Sequence, residues 1–292
     1  MSKSVLVPLV VAATLLTACA SAPEAEGPPR REMLLAVTQD HQLIRFNAGQ
    51  PRRILDRKPL LGLPTGDTLV GIDYRVARGL LYGLSHRGQL FTIDAASGRM
   101  ARIGNPPPAA PPQGRGFGFD FNPAADRIRV VAGQLNLRLH PDTGQTVDGD
   151  PDRPGVQPDA ALTYTRGDTH EGRRPDLAGA AYTYNRTDDK LTTNYAIDRS
   201  LGTLVLQGSR EGVQPVLSPN GGQLRTVGAL GLGPLSDAAL DIADVSNAAF
   251  AALRPTTLGG TRLYEVDLAS GHARFIGTVG DGAPIRGLAV EP

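Results

Sequence analysis

The strongest constraint on the fold is an internal repeat. The segment Leu90–Gly98, LFTIDAASG, recurs as LYEVDLASG at Leu263–Gly271, and each copy is followed by a short run that ends in Ile-Gly, at Ile103–Gly104 and Ile276–Gly277. Alternating apolar residues are typical of a half-buried strand, an Asp can bond the turn backbone, and a Gly supplies the positive φ of a hairpin. The repeat therefore predicts a β-hairpin that the chain uses more than once.

Two more strand-like runs precede the first of these hairpins, at Val70–Tyr74 and Leu80–Leu84, and weaker copies of the hairpin lie at Leu43–Gly49 and Leu137–Gly144. A unit of four antiparallel strands is the blade of a β-propeller. The predicted units cover residues 68–104, 116–150, 177–230 and 237–277, with an incomplete unit at 33–61.

The N-terminal unit lacks its innermost strand, and the last segment of the chain, Ile285–Val290, has the character of one. Pairing it with Met33–Thr38 closes a ring and protects both sheet edges. We therefore expect an all-β fold, a propeller of about five four-stranded blades closed by the C-terminal strand beside the N-terminal blade, over residues 33–292. A β-sandwich followed by a second domain is the alternative, but no change in composition marks a boundary.

The N-terminus has the pattern of an export signal. Lys3 precedes an apolar run, Val5–Leu16, that is too short to span a bilayer. The run ends in Leu16–Cys19, LTAC, which resembles the bacterial lipobox and contains the one cysteine of the chain. This predicts a signal peptide at residues 1–18 and lipidation of Cys19. Ordinary signal cleavage near Ala18, Ala20 or Ala22 is the alternative.

The lipobox resemblance also implies a cellular location. Ala20 follows the cysteine where an aspartate retains a lipoprotein at the inner membrane, so in a Gram-negative organism we expect an outer-membrane anchor facing the periplasm. Residues 19–32 hold few large apolar side chains and are predicted to form the lipidated cysteine and a disordered stalk.

Charge and motif content exclude several functions. With 30 basic and 29 acidic side chains the net charge is +1, which gives no basic footprint for nucleic acid. The five histidines lack metal-binding spacing, and the Gly-x-Ser-x-Gly and Gly-x-x-x-x-Gly-Lys motifs are absent. No nucleotide cofactor or standard covalent hydrolysis is expected.

Several segments resemble a bacterial family known as domain of unknown function 4394. The principal ones are Gly118–Val131, GFDFNPAADRIRVV, and Asn136–Leu139, NLRL. Further matching stretches are Val147–Asp150, Ala180–Thr183, Thr203–Gln207 and Leu224–Gly228. The resemblance implies an exported, propeller-like domain and assigns no catalytic residue.

Three aspartates occupy equivalent positions in the predicted innermost strands. Aligning these strands places Asp73, Asp120 and Asp241 at one register, with Ala181 and Ala289 in the other two. Carboxylates that gather about the propeller axis suit a hard cation, or the acid and base of glycoside hydrolysis. Alternatively, each Asp bonds the backbone of the turn after its strand.

An acidic loop is a second candidate site. Asp148, Asp150 and Asp152 alternate, and Asp159 stands where a twelve-residue calcium loop would end. Arg153 occupies the position where such a loop requires glycine, so a solvated acidic loop is the alternative.

Together these patterns predict a membrane-anchored envelope lipoprotein with a non-catalytic propeller that binds a protein or glycan partner. Two alternatives are kept: a carbohydrate-active hydrolase that uses Asp73, Asp120 and Asp241, and a structural propeller stabilised by calcium.

Overall fold

The computed structural model describes residues 26–104, 114 and 116–292. The predicted signal peptide and Cys19 lie outside these residues. Within them, no helix is long and apolar enough to cross a membrane.

Five β-sheets stand around a ring, and the innermost strand of each contacts those of its two neighbours. Blade 1 contains β20 (Ile285–Val290), β1 (Met33–Thr38), β2 (Gln42–Asn47) and β3 (Gln50–Pro59). Blade 2 contains β4 (Leu69–Arg75), β5 (Leu80–Ser85), β6 (Leu90–Ile93) and β7 (Met100–Ile103). Blade 3 contains β8 (Gly118–Asn122), β9 (Arg127–Ala132) and β10 (Leu135–Leu139). Blade 4 contains β12 (Leu177–Tyr182), β13 (Asn194–Asp198), β14 (Thr203–Gln207), β15 (Gln223–Ala229) and β11 (Thr163–Tyr164). Blade 5 contains β16 (Leu235–Ile242), β17 (Ala249–Pro255), β18 (Arg262–Val266) and β19 (Ala273–Thr278). The predicted five-bladed propeller is confirmed.

The ring closes as predicted, with the last strand paired to the first. β20 lies antiparallel to β1, with Val290 opposite Leu34 and Leu288 opposite Ala36. Leu34 and Leu288 are buried in one apolar cluster with Phe46 of blade 1 and Phe250 of blade 5. The C-terminal strand thus joins the two ends of the chain by backbone pairing and by side-chain packing.

Two blades depart from the four-stranded unit. In blade 3 the place of a fourth strand is taken by a single bridge between Leu139 and Thr146. In blade 4 the long connection after blade 3 contributes β11, which pairs in parallel with β15. A two-residue strand is too short to show an apolar period, so sequence patterns do not reveal it.

The propeller has two faces, which we name by the innermost strands. The N-face lies where β4, β8, β12, β16 and β20 begin, and the C-face lies where they end. The turns from β16 to β17 and from β18 to β19 lie on the C-face. The turns from β13 to β14 and from β17 to β18 lie on the N-face.

The segment before β1 is docked on the C-face. The backbone N–H of Arg30 donates to Asn47 Oδ1 at 2.8 Å, and the Arg30 guanidinium donates to Glu265 Oε2 at 2.8 Å. Gln50 Nε2 donates to the carbonyl of Gly27 at 3.1 Å. The sequence predicts a stalk through residue 32, whereas the structure holds the chain against the domain from Gly27 onward. Asn47 and Gln50 of blade 1 bond its backbone, and Glu265 of blade 5 binds the Arg30 guanidinium.

Leu288→Ala tests the ring closure. Leu288 is 3% exposed, and truncating such a leucine lowers the free energy of unfolding by roughly 2–5 kcal/mol. Leu55→Ala, on β3 of the same blade at 46% exposure, is the matched control and is expected to change it by less than about 0.5 kcal/mol. Urea unfolding followed by circular dichroism measures both; equal losses would contradict closure through β20.

Candidate functional site

Asp73, Asp120 and Asp241 meet at the centre of the ring. Each lies on an innermost strand, in blades 2, 3 and 5, and their exposed fractions are 7%, 4% and 5%. One carboxylate oxygen of each lies within 4.8 Å of the others. In the described part of the chain, no other group of three or more acidic, histidine or cysteine side chains comes this close.

The backbone explains why the carboxylates point inward. An innermost strand has no neighbour on its axial side, so N–H groups on that side need another acceptor. Asp73 supplies one for two blades. Its Oδ1 accepts from the N–H of Tyr74 at 2.7 Å, and its Oδ2 accepts from the N–H of Phe121, on β8 of blade 3, at 2.7 Å.

Asp241 repeats this arrangement, and of the two backbone bonds Asp120 makes only the bond to the next blade. Asp241 accepts from Ile242 at 2.6 Å and from Val290, on β20 of blade 1, at 2.5 Å. Asp120 accepts from Tyr182, on β12 of blade 4, at 2.9 Å. Each carboxylate therefore bonds the innermost strand of the next blade around the ring.

Three carboxylates satisfy five equivalent backbone groups. Blades 4 and 1 carry Ala181 and Ala289 at this register and offer no acceptor to the blade that follows. In blade 5 the N–H of Ile242 therefore bonds Asp241 of the same strand, and in blade 2 the N–H of Tyr74 bonds Asp73. We call Asp73, Asp120 and Asp241 with these five bonds the aspartate clasp. One interpretation of the sequence gave each Asp the following turn as its partner. In the structure each Asp bonds the neighbouring blade, and Asp73 and Asp241 also bond the next residue of their own strand.

Burial controls the acidity of the clasp. Desolvation raises the pKa of Asp73 and of Asp120 well above the usual range, and the charge of Asp241 raises both further. Desolvation raises the pKa of Asp241 to about 7 against the opposing effect of its hydrogen bonds from the backbone of Val290 and Ile242. Desolvation and the proximity of like charges thus both favour the protonated form of the clasp carboxyls.

A fourth carboxyl adds to this field. Asp244 lies half-buried in the turn after β16, on the C-face, and desolvation raises its pKa to about 6. Its charge raises the pKa of each clasp carboxyl. Sequence reasoning missed this residue, although its place just beyond an innermost strand that carries a clasp aspartate is a usable signal.

The acidic loop is organised differently from a calcium loop. Asp159 is fully buried, and its carboxylate pairs with Arg129 at 2.6 Å and with Arg138 at 2.7 Å. Asp148 Oδ1 accepts from the backbone of Asp150 at 3.1 Å and of Gln157 at 3.0 Å. Asp152 is exposed. An ion bound by Asp159 would have to displace two guanidinium groups.

Comparison with known proteins gives the family. A family model described as "Domain of unknown function (DUF4394)" matches residues 42–289. The chain belongs to the DUF4394 family. No curated protein matches the DUF4394 chain.

Solved structures similar to the DUF4394 chain include three of different origin. A chain of the nidogen/laminin complex is 12% identical with a TM-score of 0.47, covering 89% of this chain and 98% of that one. A structural genomics protein of unknown function from Bacteroides thetaiotaomicron VPI-5482 is 13% identical with a TM-score of 0.46, covering 87% and 62%. Glutaminyl cyclase from Myxococcus xanthus is 14% identical with a TM-score of 0.44, covering 77% and 83%.

Asp73→Ala tests the clasp. The substitution leaves two buried N–H groups without an acceptor, and it should lower the free energy of unfolding by roughly 2–5 kcal/mol in urea titrations. Asp94→Ala is the matched control, because Asp94 also accepts from two backbone N–H groups, those of Ala96 and Ser97, in an exposed turn. Its loss should be clearly smaller, and equal losses would contradict the clasp.

The pH dependence of stability is a second test. A carboxyl whose pKa is raised by folding stabilises the folded state at pH values below its pKa in the unfolded chain, 3.8. This stabilisation is lost as the pH rises through the pKa in the folded chain, which is about 7 for Asp241 and about 6 for Asp244. The free energy of unfolding should therefore fall between pH 5 and pH 8, by about 2 kcal/mol or more.

Asp244→Asn serves as the comparison in the same titration. It removes a charge that acts on the clasp without removing an acceptor of the five bonds, so it should flatten the slope and raise stability at pH 8. A wild-type stability that rises from pH 5 to pH 8 would contradict the proposed protonation.

Proposed function

We propose that the chain is a membrane-anchored envelope lipoprotein whose non-catalytic propeller binds an envelope protein or glycan through its N-face. The docking of Gly27 and Arg30 on the C-face is the observation that carries this proposal. Residues 20–26 separate Gly27 from Cys19, and such a stretch spans at most roughly 30 Å when fully extended. A lipid on Cys19 would hold the C-face towards the membrane and direct the N-face towards the periplasm.

The bonding of the clasp supports a non-catalytic propeller. A glycosidase needs one carboxyl that donates a proton to the leaving oxygen and a second that attacks or activates water. Here the carboxylate oxygens already accept five backbone N–H groups, and the side chains are at most 7% exposed. A cation would compete with the same five bonds, which weighs against calcium at this position.

Labelling and fractionation test the anchor. Wild-type chain expressed in a Gram-negative host should incorporate radiolabelled palmitate and sediment with outer membranes, whereas Cys19→Ser should be unlabelled and leave the membrane fraction. Ala20→Asp is the control for sorting between the two membranes, because this variant keeps the lipid and should be retained at the inner membrane. An unlabelled wild-type chain would contradict lipidation.

Site-specific crosslinking tests the orientation. A photoreactive residue at Leu258, exposed in the N-face turn after β17, should capture an envelope partner. The same residue at Val245, exposed in the C-face turn after β16, is the matched control and should instead capture lipid or nothing. A partner captured from Val245 alone would place binding on the opposite face.

A further inference from the structure

A cluster of charged side chains lies on the N-face near the starts of the innermost strands. It consists of Asp237 on β16, Arg254 on β17, Arg286 on β20 and Arg199 in the turn after β13. Four separate elements from three blades thus contribute one carboxylate and three guanidinium groups, which we call the N-face arginine cluster.

The sheet geometry brings these groups together. Asp237 and Arg254 are direct partners in the β16–β17 ladder, so their side chains emerge on the same face of blade 5. Arg286 lies on β20, which packs beside β16 in the ring. All three arginines act electrostatically on Asp237.

Arg199 reaches the cluster from blade 4. Its Nη1 donates to the carbonyl of Ser236 at 3.0 Å, next to Asp237, and its Nη2 donates to Asp176 Oδ1 at 3.2 Å. The backbone of Arg199 is also tied to β16, because its carbonyl accepts from the N–H of Leu235 at 2.8 Å. The guanidinium is therefore held in place at the boundary between blades 4 and 5.

Three donors of this cluster are buried and unused. Arg199 Nε, Arg254 Nη1 and Arg286 Nε have no hydrogen-bond partner within the described residues. None of the three guanidinium groups comes within 4.0 Å of the Asp237 carboxylate there, and within the described residues only Arg199 of the three has an ion pair, with Asp176 at 3.0 Å. A buried donor without an acceptor is costly and rare in native proteins, so the cluster calls for an acceptor that the described residues do not supply.

We propose that the N-face arginine cluster binds the anionic group of a ligand, a carboxylate or a phosphate. Three guanidinium groups against two carboxylates, Asp237 and the Asp176 paired with Arg199, leave an excess of positive charge, and the planar guanidinium fork matches both anions. Asp237 adds an acceptor for a hydroxyl of the same ligand. This proposal rests on the orientation given under the proposed function and names the class of ligand. The ligand is an acidic sugar or a phosphorylated glycan, bound at the face turned away from the anchor.

Thermal unfolding of the full chain, purified in detergent, provides the test. Glucuronate and inorganic phosphate are titrated at constant ionic strength, with glucose as the neutral probe. At least one anion should raise the melting temperature saturably, because a ligand of the folded state stabilises it by mass action, and glucose should not. A response to glucuronate alone indicates a carboxylate ligand, and a response to phosphate alone indicates a phosphate ligand.

Variants locate the site. Arg254→Gln and Arg286→Gln should each weaken the apparent affinity at least about tenfold. Arg225→Gln, at an exposed arginine on β15, is the matched control and should bind like the wild type. If a Gln variant does not fold, Arg254→Lys and Arg286→Lys, which keep the charge and lose the fork, replace it and should also bind more weakly.

Two results would overturn the site: no saturable response to either anion, or equal weakening by the Arg225 and Arg254 variants. The outcome is separable from that of the proposed function. A chain that binds an anion at this cluster, while crosslinking from Leu258 captures no partner, contradicts only the envelope-binding function. Capture from Leu258 without anion binding contradicts only the arginine cluster.

Discussion

The structure depends on how the axial N–H groups of five innermost strands are satisfied. A propeller leaves these strands without a neighbour on one side, and a buried N–H without an acceptor costs roughly 1–3 kcal/mol. Asp73, Asp120 and Asp241 supply the acceptors, and three of their five bonds cross from one blade to the next. The carboxylates therefore tie blades 2, 3 and 5 to their neighbours.

This solution carries an electrostatic cost. One oxygen from each of the three carboxyls lies within 4.8 Å of the others in a desolvated centre, so burial and mutual repulsion raise their pKa values. Perturbed pKa values of this kind also occur in active sites. Here five of the six carboxylate oxygens accept backbone N–H groups, which favours a structural role for the cluster.

The two faces of the ring differ in chemistry. On the C-face the N-terminal segment is held by Asn47 and Glu265, and Asp244 adds negative charge beside the clasp. On the N-face Arg199, Arg254 and Arg286 leave buried donors unused. This difference between the faces supports the proposed orientation, in which a lipid on Cys19 holds the C-face towards the membrane and the ligand binds at the N-face.

The sequence by itself determined the blade count, the ring closure and the register of the three aspartates. Each follows from local information. The hairpin repeats predict the strands and turns of each blade, and the unpaired strand Ile285–Val290 can pair with the N-terminal unit, which lacks an innermost strand. Because register is periodic, alignment of the innermost strands was sufficient to bring Asp73, Asp120 and Asp241 to one level.

Only the tertiary structure decided what those aspartates bond and which other charges meet. The acceptor of the Phe121 N–H lies 48 positions away in the chain, on another blade, and no spacing rule encodes that pair. The N-face arginine cluster draws on four elements, so its members show no common pattern in sequence. Packing between blades, which depends on ring geometry rather than on local periodicity, is the physical reason for both.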